Sequence, residues 1–210
     1  MSKNYYYIDL SKALSYLLRH GAVKQKLKIS PDGYISLDDI KKLPKFNKYS
    51  FDDIKYVVDT NDKKRFALKQ EDEKWYIRAN QGHSHEVAAK IDQEELLTKL
   101  TEPLDLIVHG TTFTAYKEIK NSGLKKMDRS HIHFAITDDI VAGNKQQSGI
   151  RSNCQLLIYV DMKSAMDDGI EFFMSENKVV LSPGVGEEGL IDKKYFSKVI
   201  NKGNGQKIEI

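Results

Sequence analysis

Residues 106–135, LIVHGTTFTAYKEIKNSGLKKMDRSHIHFA, constrain the fold of this chain more than any other stretch. The opening apolar run predicts a buried strand that ends in His109-Gly110-Thr111. The spacing of Ala115 and Ile119 predicts an amphipathic helix of about two turns, stopped by Gly123 in a left-handed cap. The closing run, Met127-Asp128-Arg129-Ser130-His131-Ile132-His133-Phe134-Ala135, alternates polar and apolar residues as a strand does. Two strands would then deliver His109, Arg129, His131 and His133, with the last two on one face by period-two spacing. Gly110, behind His109, admits the close approach of a backbone or a ligand. Such a set suits an anionic ligand that carries a sugar or an aromatic ring.

Cation usage sharpens this. The 33 basic residues divide into five arginines (Arg19, Arg65, Arg78, Arg129, Arg151) and 33 − 5 = 28 lysines. Arginine's planar fork grips phosphate or carboxylate through two hydrogen bonds, which lysine cannot do. A chain that otherwise spends lysine therefore marks those five positions, although interior ion pairs also use arginine. Net charge is only +3, and the excess lies in residues 1–100, with 19 basic and 15 acidic side chains against 14 and 15 in the rest. That bias hints at a polyanion on the first half. A single cysteine, Cys154, excludes a disulfide framework and fits a reducing compartment. Neither a signal-peptide core nor an apolar run of about 20 residues is present, so a cytoplasmic protein without membrane contact is expected.

In the first half, Asp9 is expected to cap a helix whose stripe is Leu10, Ala13, Leu14, Leu17 and Leu18, ending at Arg19-His20 with Gly21 as its stop. Pro31-Asp32-Gly33 predicts a turn, and residues 34–37 a short extended piece. A brief helix over 37–43 follows, then a second over 51–58 behind a capping box of Ser50 and Asp53. Two strands, around 65–68 and 75–79, flank a turn at Glu71-Asp72-Glu73. Three helices and a hairpin suggest a winged-helix module, a fold that handles nucleic acid in many proteins and only protein in others. Next comes Asn80-Gln81-Gly82-His83-Ser84-His85-Glu86, dense in hydrogen-bonding side chains. Two His-x-His pairs invite a metal reading, which the lack of an acidic residue at ligand spacing disfavours. His85 by itself reads as a solvated loop residue.

Residues 87–101 are polar and helix-prone, and Pro103 breaks them, which places a 91–103 linker between a 1–90 lobe and a 104–210 lobe. Beyond the organising stretch, 137–144 predicts a short helix, and 146–151 a polar loop able to close over a ligand. Strands are expected at 155–161, in a hairpin of 170–174 with 179–181, and at 195–200, with a helical turn at 163–168 ended by Gly169. Short strands outnumber helices, so the class is α+β with a largely antiparallel second half.

The blocks Leu10–His20, Asp32-Gly33-Tyr34, Asn61–Phe66, Asn80–Ser84, His109-Gly110-Thr111, Met127–His133 and Ser148-Gly149-Ile150-Arg151 together resemble the NAD-dependent tRNA 2'-phosphotransferases over nearly the whole chain. The resemblance implies an N-terminal winged-helix RNA lobe and a C-terminal lobe with the ADP-ribosyltransferase fold. It implies a metal-independent enzyme that moves an internal RNA 2'-phosphate to NAD+ by way of an ADP-ribosylated RNA 2'-phosphate. Products would be 2'-OH RNA, nicotinamide and ADP-ribose 1'',2''-cyclic phosphate. Essential side chains map onto Arg19, Arg65, His109 and Arg129. NAD+ contacts would come from Gln81, His83, Ser84, His109, Gly110, Thr111, Arg129, Ser130, His131, His133, Ser148, Gly149 and Arg151. RNA contacts would come from Arg19, His20, Lys63, Lys64 and Arg65.

Related ADP-ribosyltransferases carry glutamate at a strand position where this chain has Val180. A 2'-phosphate, with a charge of about −1.5 to −2, can attack C1'' of NAD+ without a general base. Arg19 and Arg65 are expected to grip RNA phosphate from the first lobe, with Arg129 facing them from the second. A monomer acting on RNA, tRNA above all, is expected. Two rivals stand beside this reading: an ADP-ribosyltransferase acting on nucleic-acid ends or protein, and a non-enzymatic winged-helix regulator that senses a nucleotide.

Overall fold

The computed structural model describes residues 3–136, 149–151 and 153–210. It divides into two compact units, Met1–Leu96 and Leu97–Ile210. Helix α1 (Lys3–Tyr16) opens the first unit and runs without a break into a π-helical turn, Leu17–Gly21. The stripe Leu10, Ala13, Leu14, Leu17 and Leu18 recurs at helical spacing, and all five side chains are buried. Asp9 therefore lies inside the helix and not at its start, because the half-buried Tyr6 and Tyr7 carry the packed face one turn further back from the leucine stripe. Gly21 ends the π turn without a positive φ, and the chain proceeds into Ala22 in helical conformation. A Cβ there would lie 3.3 Å from the Tyr16 ring, so the residue serves tight packing and not a left-handed stop.

Strand β1 (Ile35–Ser36) and helices α2 (Leu37–Lys41) and α3 (Phe51–Asp59) follow. The expected box at α3 is complete: Asp53 N–H donates to Ser50 Oγ at 3.1 Å and Ser50 N–H to Asp53 Oδ2 at 2.8 Å. Strands β2 (Phe66–Glu71) and β3 (Lys74–Ala79) form a hairpin whose corner residues Asp72 and Glu73 both have positive φ. With β1 on the far side of β3, the sheet order is β1-β3-β2. Ile77, Ile35, Phe66 and Ala79 pack it against the leucines of α1 and Ile54 of α3. Two short helices, α4 (His85–Ala88) and α5 (Gln93–Leu96), close the unit. The residues expected to form one polar helix and a linker are thus two separate turns and a strand, β4 (Thr98–Lys99).

The second unit contains β5 (Ile107–Thr111), α6 (Phe113–Ser122), β6 (Leu124–Lys125), β7 (Ile132–Phe134) and β8 (Leu156–Val160). It continues with α7 (Met162–Asp167), β9 (Phe173–Met174), β10 (Val180–Ser182), β11 (Leu190–Ile191), β12 (Phe196–Asn201) and β13 (Lys207–Ile208). Two antiparallel four-stranded sheets, β4-β9-β10-β7 and β13-β12-β8-β5, are joined where Val108 and Ala135 exchange backbone hydrogen bonds at 2.8 and 2.9 Å. Phe134, Leu156, Ile158, Phe172 and Val180 fill the core. The architecture is α+β.

Three expectations shift here. Gly123 has φ 81° but ψ −175°, so the stop of α6 is extended and not the left-handed cap. The strand expected over 127–135 is only β7; Met127 has φ 56° and is 73% exposed, Met127 and Asp128 form a turn, Arg129 makes a single bridge, and Ser130 and His131 bend before Ile132. Strand β13 follows β12 and was absent from the sequence reading. The helix expected at 137–144 and the loop residues 146–148 lie outside the described residues. Among the described residues, no helix is long and apolar enough to cross a membrane.

Candidate functional site

In the first unit the π turn carries Arg19 and His20 on the side away from the buried Leu17 and Leu18. A π turn widens the helical ring by one residue and is frequent where a helix serves function. The loop after β3 folds back on it: Ser84 N–H donates to the Arg19 carbonyl at 2.9 Å. Gly82, at φ 86°, lies flat against the guanidinium, since a Cβ would come within 3.4 Å of Arg19 Nε and 3.5 Å of Cζ. Within this loop Gln81 and His83 are buried, and Ser84 Oγ is buried without a hydrogen-bond partner. His85 is exposed in the first turn of α4.

The same loop reaches the second arginine. Asn80 N–H donates to the Arg65 carbonyl at 2.9 Å, and its Nδ2 donates to the Lys64 carbonyl at 2.8 Å. Burial lowers the Arg65 pKa, and the charge of Asp62 nearby raises it back in part. Lys63 is half-buried and Lys64 exposed. Arg19, His20, Lys63, Lys64 and Arg65 thus sit on two turns that one loop ties together. Ser84 and Asn80 make those ties while Asn61 braces the Lys64–Arg65 turn from within, and neither asparagine belonged to the expected set. Their signal in the sequence was an asparagine at each end of the Asp62–Arg65 turn and the Gly82 loop. Arg78 is different: its Nη1 donates to the Asp32 carbonyl at 2.8 Å and its guanidinium lies 4.7 Å from the Tyr34 ring centre, so it braces the 31–33 turn.

In the second unit, β5 and β7 present His109 and His133. His109 Nδ1 donates to the His133 carbonyl at 2.9 Å, and its ring meets Phe134 edge-on at 6.0 Å. His133 is buried, opposite Leu181 of β10, and all three residues of β7 are covered, while His131 stands ahead of the strand and is only half-buried. His131, ahead of the strand, takes a 2.8 Å contact between Nδ1 and Ser130 Oγ and stands 6.2 Å from the Phe173 ring. Arg129 is half-buried. Burial lowers its pKa and the nearby charge of Arg151 lowers it further. Thr111 is buried at the end of β5, its carbonyl accepting from Gln155 N–H at 2.8 Å.

The space beside Gly110 goes to protein and not to a ligand: a Cβ would stand 2.7 Å from Ile150 Cγ2 and 3.2 Å from Cys154 Cβ. Gly149, at φ 88°, packs in the same way against the Phe134 carbonyl. Ser148 lies outside the described residues. Val180 is fully buried, paired with Phe134 and Met174, so no carboxylate stands there. Among the described residues, no group of three His, Cys, Asp or Glu is placed to hold a metal ion.

One contrast unites the two units. Lysines make the ion pairs, for example Lys69–Asp32 at 2.9 Å, Lys125–Glu188 at 2.7 Å and Lys194–Asp168 at 2.7 Å. Arg65, Arg129 and Arg151 pair with no carboxylate among the described residues. Among the described residues Arg65 and Arg129 are half-buried cations with no carboxylate in ion-pair contact, and the charge of Asp62 near Arg65 offsets only part of the desolvation cost that an anionic ligand would relieve.

These features define an α+β protein of two units, each with a half-buried arginine that makes no ion pair among the described residues. Residues 6–184 match the family described as RNA 2'-phosphotransferase, Tpt1 / KptA family, and the chain belongs to it. The tRNA 2'-phosphotransferase 1 of Danio rerio is 39% identical over 193 residues, covering 91% of this chain and 84% of its own. The tRNA 2'-phosphotransferase of Saccharomyces cerevisiae is 36% identical over 206 residues, 94% of this chain and 85% of its own. A Schizosaccharomyces pombe relative is 42% identical over 196 residues, 91% of this chain; the chain spans about half, 51%, of that protein's length.

Proposed function

We propose that the protein removes an internal 2'-phosphate from RNA, such as one left at a spliced tRNA junction, by transferring it to NAD+. The observation that carries this reading is the pair of half-buried guanidiniums, Arg65 and Arg129, that make no ion pair among the described residues, within a family whose members are named for 2'-phosphate transfer. On this reading the first unit is a winged-helix RNA lobe, supported by its α1–α3 helices and three-stranded sheet. The second is an ADP-ribosyltransferase-like NAD+ lobe, supported by its paired antiparallel sheets.

The donor set of the second unit fits a dinucleotide. His109, Arg129 and Arg151 feel one another's charge, an arrangement that favours a diphosphate over a cation or a neutral ligand. NAD+ supplies the acceptor: nicotinamide leaves C1'' as the RNA phosphate oxygen bonds to it, and the 2''-hydroxyl then attacks phosphorus to free RNA with its 2'-OH. Arg19 and Arg65 hold the RNA phosphate, with His20, Lys63 and Lys64 on the flanking backbone. Arg129 offsets the charge that builds on the phosphorus oxygens as the RNA oxygen departs. His109, protonated on Nδ1, offers Nε2 as an acceptor to a ribose hydroxyl. His133, Arg151, Thr111, Ser130 and His131 complete the NAD+ contacts, with Gln81, His83 and Ser84 from the 80–84 loop. Val180 supports phosphate as acceptor, because a dianion needs no base to attack while a hydroxyl or protein side chain does.

The test is incubation with NAD+ and an oligoribonucleotide bearing one internal 2'-phosphate, with chelator present. Conversion to the 2'-OH product with release of nicotinamide is expected. Retention of the phosphate under saturating NAD+ would overturn the reading.

A further inference from the structure

Arg65 follows a backbone that needs support. Lys64 has φ 41°, a conformation that non-glycine residues rarely adopt, and it lies in a turn. Two asparagines hold this turn from opposite sides. The Asn61 carbonyl accepts Lys64 N–H at 2.8 Å, and Asn61 Oδ1 accepts both Arg65 N–H at 3.1 Å and Arg65 Nη1 at 3.3 Å. Asn80 takes the other side, donating N–H to the Arg65 carbonyl at 2.9 Å and Nδ2 to the Lys64 carbonyl at 2.8 Å. The backbone donor, the backbone acceptor and one guanidinium nitrogen of Arg65 are therefore all fixed by these two residues. Its remaining guanidinium donors have no partner among the described residues and stay available to an anion.

Packing alone does not explain the choice of asparagine at 80. The side chain is 2% exposed, and its Oδ1 is buried with no hydrogen-bond partner, which costs stability. An apolar residue of similar size would fill the space without leaving that acceptor unmatched. What asparagine adds is the Nδ2 bond to Lys64. It also adds a link onward, since Asn80 begins the loop whose Gly82 lies against Arg19 and whose Ser84 donates to the Arg19 carbonyl.

We propose that Asn61 and Asn80 are positioning residues for Arg65, and that Asn80 also sets its register against Arg19. The proposal rests on the phosphate-transfer reading above. Asn61 aims the guanidinium, and Asn80 holds the strained turn that carries it. Phosphate then meets two arginines whose spacing is set before binding, so no ordering of the turn is required during the reaction.

A double-mutant cycle on Asn61→Ala and Arg65→Lys, with Asn80→Leu as a third variant, tests this. The readouts are kcat for 2'-phosphate removal, KM for NAD+, accumulation of ADP-ribosylated RNA, and melting temperature. Asn61→Ala and Asn80→Leu should each lower kcat about ten- to a hundredfold, the size of effect that a misplacement of about 1 Å brings. KM for NAD+ should hold, and the same ADP-ribosylated RNA should build up as in Arg65→Lys. The double variant Asn61→Ala/Arg65→Lys should be no slower than Arg65→Lys alone, because its target is already gone. Asn80→Leu should melt close to the wild type, since deleting the unmatched buried acceptor offsets the lost Nδ2 bond to Lys64; Asn61 lies in a half-exposed turn, so its alanine variant gives the cycle in a folded protein. Losses that multiply in the double variant, or that follow melting temperature, would overturn the proposal. A wild-type protein that leaves the 2'-phosphate in place would overturn the function itself, a different result from wild-type turnover with multiplying losses.

Discussion

His109 Nδ1 donates to the main-chain carbonyl of His133 across 2.9 Å, from β5 to β7. A carbonyl only accepts, so the proton of the neutral ring is on Nδ1 and the lone pair on Nε2. Burial lowers the His109 pKa from its ordinary 6.5; the carbonyl bond raises it, and the charges of Arg151 and Arg129 lower it again, with a net shift downward. The unfolded chain therefore binds this proton more readily than the native one, and stability increases with pH across the window below 6.5. The contribution is complete above about 6.5 and is lost as pH falls through the folded value. The melting temperature of His109→Gln, compared with wild type between about pH 5 and 7.5, should lack that part of the slope. Carboxylates such as Asp168, lowered by the hydrogen bond from Lys194, act only below their usual 3.8 and leave this window clear.

Arg65→Lys and Arg129→Lys should each reduce overall turnover by about a hundred- to a thousandfold, as removing one preorganised donor from a charged transition state does. Lysine keeps the charge but not the fork, so binding should suffer less than the second step. Gel separation should therefore show ADP-ribosylated RNA accumulating in both variants. Full turnover by either one would refute the role assigned to that arginine.

Gly82→Ala places a Cβ within 3.4 Å of Arg19 Nε on a backbone at φ 86°. The left-handed conformation costs a non-glycine residue about 1–2 kcal/mol. Crowding of the guanidinium adds to it, so kcat/KM should fall by more than the loss of stability accounts for. Denaturant titration beside steady-state kinetics separates the two.

Gly110→Ala should act on stability first. Its Cβ would stand 2.7 Å from Ile150 Cγ2 and 3.3 Å from Cys154 Sγ, an overpacking that costs about 1–3 kcal/mol. Pairing it with Ile150→Leu, which keeps the volume but lacks the second γ carbon, should recover part of the melting temperature. A Gly110→Ala protein with wild-type stability would show that those two residues yield without cost.

Much of the frame was legible because local rules govern it. The leucine stripe of α1 and the Ser50–Asp53 box follow from spacing alone, and the five buried residues of β8 from an uninterrupted apolar run. Boundaries were less so. Asp9 looks like a cap to a reader of ten residues, yet the helix starts at Lys3, because tertiary packing extends a helix past a plausible local signal. The alternation in 127–135 has the period of a strand, but only Ile132–Phe134 forms one, against β10, with Ala135 adding a single bridge to Val108.

By itself the sequence determined which residue types could serve an anion: few arginines, and those among glycines, asparagines and histidines. It also determined the α+β class, since hydrophobic period is a property of neighbours along the chain. Only the tertiary structure decided which arginine braces the fold and which keeps guanidinium donors to spare among the described residues. Arg78 and Arg65 look alike in sequence, but one donates to the Asp32 carbonyl while the other is held by Asn61 with donors to spare. That distinction depends on contacts between segments far apart in the chain, such as Arg78 with Asp32 or Asn80 with Lys64, and no local pattern encodes such distances.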